Sequence, residues 1–124
     1  MHAIVLFAHG SRDPRWREPI EAIARKVAQL APDVPVRCAY LELVAPDLNA
    51  AVAELAALGA TSVRVLPVFL GVGRHLREDL PRLLDNLRQQ HADIAFTMAT
   101  VVGEEQSLVE LIAQLALKSI QTPS

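Results

Sequence analysis

Two histidines carry the most chemistry-bearing placements in this chain. His9 follows an apolar run in Leu6-Phe7-Ala8-His9-Gly10-Ser11-Arg12, and His75 closes Leu70-Gly71-Val72-Gly73-Arg74-His75. A neutral imidazole is a common ligand for divalent metals and a proton acceptor near neutral pH. Arg12 and Arg74 each lie within three residues of one of these histidines, and a guanidinium grips carboxylates or phosphates through forked hydrogen bonds. Paired imidazoles beside anion-binding arginines suit the handling of a divalent metal together with an acidic organic substrate. Taken singly, a strand-end histidine reads as a structural hydrogen-bonding residue and Glu42 as surface. The joint placement is what changes that reading.

That placement depends on the elements. Residues 3–8, 34–41, 62–70 and 94–102 are short, apolar and rich in β-branched side chains, as buried strands should be. Between and after them, apolar residues recur at helical spacing: Ile20, Ile23, Val27 and Leu30; Leu48, Val52 and Leu55; Leu76, Leu80, Leu83, Leu84 and Leu87; Leu108, Leu111, Ile112 and Leu115. Gly59 falls where a helix C-cap is wanted, and Pro19 and Pro81 are assigned to first turns, where a missing N–H costs little. The order βαβαβαβα predicts an α/β fold with a four-stranded parallel sheet, right-handed crossovers and helices on both faces. In the flavodoxin-like order 2-1-3-4, strands one and three are neighbours, and ligands bind beyond the carboxyl ends of the strands at that switch point. His9 and His75 then share one crevice, with Glu42 bordering it from the end of strand two. Gly10, Gly71 and Gly73 would let the backbone approach a flat ligand closely.

Bulk properties narrow the function. The 124 residues fit a single domain, 1–124, with a short frayed tail at 121–124. With 12 Lys and Arg against 14 Asp and Glu, the chain offers no overall basic field for nucleic acid. Its one cysteine, Cys38, excludes a disulfide framework or a multi-cysteine zinc site and reads as a small buried thiol. No apolar run reaches membrane-spanning length, and the expected location is the cytoplasm. His2 lies at the opposite end of strand one and His91 at a helix end, so neither joins the crevice. Glu104 and Glu105 read as complementing the dipole of the last helix. Trp16 reads as a packing anchor, and Arg15 and Arg17 as surface charges.

The motifs resemble a known family. His9-Gly10-Ser11-Arg12 after strand one, Tyr40-Leu41-Glu42-Leu43 with Pro46 after strand two, and Pro67-Val68-Phe69-Leu70 through Gly73-Arg74-His75 with Asp79-Leu80-Pro81 after strand three are similar to the small sirohydrochlorin chelatases of the CbiX type. The similarity covers nearly the whole chain. It implies a class II chelatase, a lyase forming a nitrogen–metal bond, that inserts Co2+ into sirohydrochlorin on the anaerobic route to cobalamin. The family's metal-binding histidines fall on His9 and His75, with His9 also the proton acceptor. Its tetrapyrrole contacts fall on Glu42 and on Leu70, Gly71, Val72, Gly73, Arg74 and His75; the roles of Arg74 and Arg12 rest on their charge. No organic cofactor is expected. Imidazole ligands also accept Ni2+ and Fe2+, so insertion of either metal stays open, as does a non-enzymatic metal or tetrapyrrole carrier.

Other chemistries fit less well. Ala8 stands where phosphoglycerate mutase-like proteins carry the arginine of an Arg-His-Gly order, and no G-x-S-x-G elbow is present. A receiver would want acidic residues after strand one, and a flavodoxin a Ser/Thr-rich phosphate loop. A tetrapyrrole is broader than the mouth of a four-stranded sheet, which points to a homodimer covering both ring faces. Longer chelatases of this class look like two such domains fused.

Overall fold

The computed structural model describes residues 1–121. All but Gln121 of the tail expected to fray therefore lie outside the described residues. The elements alternate as β1 (His2–Ala8), α1 (Pro14–Leu30), β2 (Val36–Tyr40), α2 (Leu48–Ala57), β3 (Ser62–Pro67), α3 (Arg74–Gln90) and β4 (Ala95–Met98), then a short 3-10 turn η1 (Val102–Glu104) and α4 (Gln106–Ser119). The four strands form one parallel sheet in the order β2-β1-β3-β4.

Strand alternation sorts the side chains onto two faces. Val5 and Phe7 of β1, Val63 and Val65 of β3 and Phe96 of β4 meet Leu48, Val52 and Leu55 of α2 and Leu80, Leu84 and Leu87 of α3 in the larger core. Leu6, Ala8 and Tyr40 meet Ile20 of α1 on the other face. Helices thus cover both faces, but unequally. Of the apolar stripe on α1, Ile20 is buried, while Ile23 and Leu30 are exposed, and α4 buries no residue at all.

Strand ends and prolines depart from the sequence reading. Strand three ends at Pro67 rather than at Leu70, because Val68 donates its N–H to the Phe7 carbonyl (2.7 Å) and the chain then leaves the sheet, with Phe69 accepting from the Gly103 N–H at 3.0 Å. Strand four is four residues long; after Ala99 bonds to Val65 (2.8 Å) the chain turns in at buried Val101 and coils into η1. On β2, Val34 is spent in a turn bonded to Ala31, so the strand starts at Val36. Pro14 opens α1, so Pro19 lies inside that helix, as Pro81 lies inside α3. Both ring faces point to solvent, where a lost backbone bond is replaced by water. Gly59, with φ of +93°, follows the end of α2 as read from the sequence.

Candidate functional site

The carboxyl edge of the sheet gathers three loops around β1. Ala8 is buried and His9, the next residue, is exposed. Backbone pairing continues past the strand ends: Leu41 donates to the Ala8 carbonyl (2.9 Å) and Glu42 to that of His9 (3.1 Å). The chain can turn there only because residue 10 is glycine. Gly10 has φ of +107°, and a Cβ on it would sit 1.9 Å from the Glu42 carbonyl oxygen. The same close approach sets the Glu42 side chain beside His9, with Oε1 3.3 Å from Nε2, both groups about half exposed.

The third loop supplies a floor and an entrance. Phe69 is buried, stacks edge-on against Phe7 (5.9 Å between ring centres) and meets the His9 ring edge-on at 6.4 Å. Beyond it Leu70 is 72% exposed, and Gly71 and Gly73 have open space where a Cβ would be. Gly73 is the N-cap of α3, and Arg74 and His75 are the first two residues of that helix, both exposed. Gly103 of η1 packs against the Leu70 backbone so closely that a Cβ would lie 1.6 Å from its carbonyl oxygen. The Arg77 guanidinium of α3 grips Glu104 at 2.5 Å. Glu104 therefore ties η1 to α3, where the sequence reading had it only complementing a helix dipole; the partners come from separate elements, so no spacing could show it.

The first loop orders its arginines differently. Asp13 caps α1 by accepting from the Arg15 N–H (2.9 Å), and its carboxylate also holds the Arg15 guanidinium (3.1 Å), which keeps its pKa below the ordinary value. Arg15 is thus engaged on the surface. Arg12 and Arg74 are exposed and, among the described residues, have no ion-pair partner. Arg17 is partly buried with an unpartnered Nε, not the plain surface charge expected. Trp16 packs on Tyr40, 6.3 Å between ring centres, as an anchor should. Burial pushes the Tyr40 hydroxyl up to about 12 and raises the Cys38 thiol as well. His2 bonds Ser62 at the far end of the sheet, and His91 closes the C-terminus of α3, both away from the crevice.

Among the described residues no three His, Cys, Asp or Glu side chains converge as a metal cage. The donors at this edge are His9, Glu42 and, at the start of α3, His75.

The CbiX family model matches residues 3–119. The chain belongs to the CbiX family. The sirohydrochlorin cobaltochelatase of Methanosarcina acetivorans is 34% identical to it over 125 residues, covering 95% of this chain and 93% of its own. That of Methanosarcina barkeri is 31% identical over the same shares. Among solved structures, the cobalamin biosynthesis CbiX protein of Marinobacter aquaeolei superposes with a TM-score of 0.85 at 31% identity, covering 98% of each chain. The sirohydrochlorin chelatase SirB of Bacillus subtilis shares the fold, with a TM-score of 0.74 at 22% identity over 91% of this chain and 48% of its own. No helix among the described residues of this CbiX chain is long and apolar enough to cross a membrane.

Proposed function

We propose that this chain is a sirohydrochlorin cobaltochelatase that inserts Co2+ into the tetrapyrrole, acting in the cytoplasm as a single domain over residues 1–124 and without an organic cofactor. The observation that carries the reading is the His9–Glu42 pair at the carboxyl end of β1, in a chain whose near full-length relatives bear that name. Insertion requires two pyrrole N–H groups to lose protons while the metal sheds water. A base and a metal-holding imidazole are the minimum equipment. Once the metal has passed to the ring nitrogens, the freed His9 imidazole takes one pyrrole proton and the second goes to water, and the Glu42 carboxylate beside Nε2 stabilises the imidazolium that results. His75, on the first turn of α3, holds the incoming metal with His9. Gly71 and Gly73 give the flat ring room, while Arg12 and Arg74 meet its peripheral carboxylates. No covalent intermediate is needed, because orientation and desolvation lower the barrier.

The active form in this reading is a homodimer, with the carboxyl edges of two sheets facing each other across the ring. One four-stranded sheet covers one face of a tetrapyrrole. SirB, of whose length this chain covers 48%, has room for a second such unit in one chain. The test is absorbance of sirohydrochlorin on addition of Co2+, Ni2+ or Fe2+ with substoichiometric protein. Many turnovers per chain, fastest with Co2+, are expected. A single stoichiometric change would instead mark a carrier, and faster turnover with Ni2+ or Fe2+ would reassign the metal.

A further inference from the structure

The segment that carries His75 has little of its own to hold it. Leu70 is 72% exposed, Gly71 and Gly73 have open space where a Cβ would be, and no side chain caps α3 at Gly73. Glycines leave such a backbone free to take many conformations. Among the described residues, the one backbone bond from 69–73 to a distant part of the chain comes from η1. There the Gly103 N–H donates to the Phe69 carbonyl at 3.0 Å. The same glycine lies flat on the next peptide, where a Cβ would come 1.6 Å from the Leu70 carbonyl oxygen and 2.8 Å from the Leu70 Cα. Only glycine allows that approach. Next along η1, the Glu104 carboxylate takes the Arg77 guanidinium of α3 at 2.5 Å, just past His75 on the same helical turn.

These ties grip the segment before its exposed tip, at Phe69 and Leu70, and again behind it, at Arg77. The grip reaches both imidazoles. His75 lies between the two points, and the ring of Phe69 meets that of His9 edge-on. A metal site made of two imidazoles from separate loops works only when a supporting shell holds them at one spacing. We propose that Gly103 and Glu104 are positioning residues for metal insertion, fixing the segment Phe69–Arg77 so that His75 and His9 meet one metal ion. The proposal rests on the metal-holding role given above to the two histidines and adds what holds them in place. Neither residue of η1 is itself a ligand, since Gly103 has no side chain and the Glu104 carboxylate is engaged by Arg77. The ion pair is half exposed, so it adds little to the stability of the fold. Its use is to aim the first turn of α3.

The test is titration of the full chain with Co2+ alone, followed by the cobalt absorption bands, beside urea unfolding. Glu104→Gln and Arg77→Gln each remove one side of the ion pair. Each should raise the Co2+ dissociation constant roughly fivefold, the scale that an exposed pair can transmit, while unfolding stays near wild type. The common sign decides the matter. A field effect on the metal would act in opposite directions, weakening binding when the carboxylate is lost and tightening it when the guanidinium is lost. That pattern overturns the proposal, as does wild-type affinity in both variants. The double variant should bind no more weakly than either single one, because the two residues act through one contact; additive losses overturn it as well. Gly103→Ala should weaken Co2+ binding further, and wild-type affinity there removes the glycine from the device. Should that variant fail to fold, the glutamine variants decide. A wild-type chain that binds no Co2+, or a His75→Ala chain that binds it as wild type does, would instead overturn the two-histidine site itself and the brace with it.

Discussion

At the residue scale, charged side chains lie beside two imidazoles, Glu42 by His9 and Arg74 next to His75 in the chain. Glu42 borders His9 through a carboxylate oxygen 3.3 Å from Nε2. The sequence put both residues at neighbouring strand ends, but only the backbone bond from Glu42 to the His9 carbonyl explains why they touch. Arg12 and Arg74 are free of carboxylate partners among the described residues, whereas Arg15 is engaged by Asp13. Arg12→Ala and Arg74→Ala should therefore raise the KM for sirohydrochlorin by roughly tenfold with little change in kcat, since contacts common to the bound and transition states act on KM. Arg15→Ala should leave both constants near wild type. Steady-state kinetics with the carboxylate substrate and its methyl ester provide the check. If wild type and the Arg12 and Arg74 variants discriminate against the ester equally, these arginines do not contact the carboxylates.

At the scale of elements, the site depends on how tightly the β1 and β2 loops are laced. The Gly10→Ala substitution places a methyl group inside the Glu42 carbonyl and at φ of +107°. It should cost about 2 kcal/mol or more in urea unfolding and should displace Glu42 from His9. Stability unchanged from wild type would show that this turn is not what joins the loops. Tyr40, at the end of β2 and 3% exposed, gives the same lacing a pH signature. Its hydroxyl is pushed up to about 12 from 10.0, chiefly by burial. The unfolded chain loses this proton first as pH rises, so the contribution is fully present below pH 10.0 and is lost toward about pH 12. That loss amounts to about 3 kcal/mol, and urea midpoints across this range should show it in wild type but not in Tyr40→Phe. The succession of strands and helices was readable from periodicity, because the larger core takes its side chains at regular spacing from α2 and α3, whereas the order 2-1-3-4 came from likeness to the flavodoxin-like pattern. The ends of β3 and β4 were not readable. Apolar residues 68–70 and 99–102 serve the loop and η1 rather than the sheet, and hydropathy does not distinguish those uses.

At the scale of the whole molecule, the last helix marks the limit of single-chain reasoning. Leu108, Leu111, Ile112 and Leu115 recur at helical spacing, and the helix forms, yet none of them is buried in the chain. Periodicity reports an apolar face and is silent about where that face packs. The crevice was more legible than the placement of α4. His9 and His75 were placed at the carboxyl edge by topology alone, a consequence of β1 and β3 being neighbours. The ion pair of Arg77 with Glu104, which fixes where α4 departs, depends on long-range packing. The central claim is that these two histidines carry out metal insertion, and the most direct measurement is the Co2+-dependent absorbance change of sirohydrochlorin with His9→Ala and His75→Ala, taken beside thermal unfolding of each variant. Both histidines are exposed, so unfolding should stay near wild type while turnover falls by at least ~100-fold in each. Wild-type turnover in either variant would remove that histidine from the mechanism, and loss of folding would make its role structural.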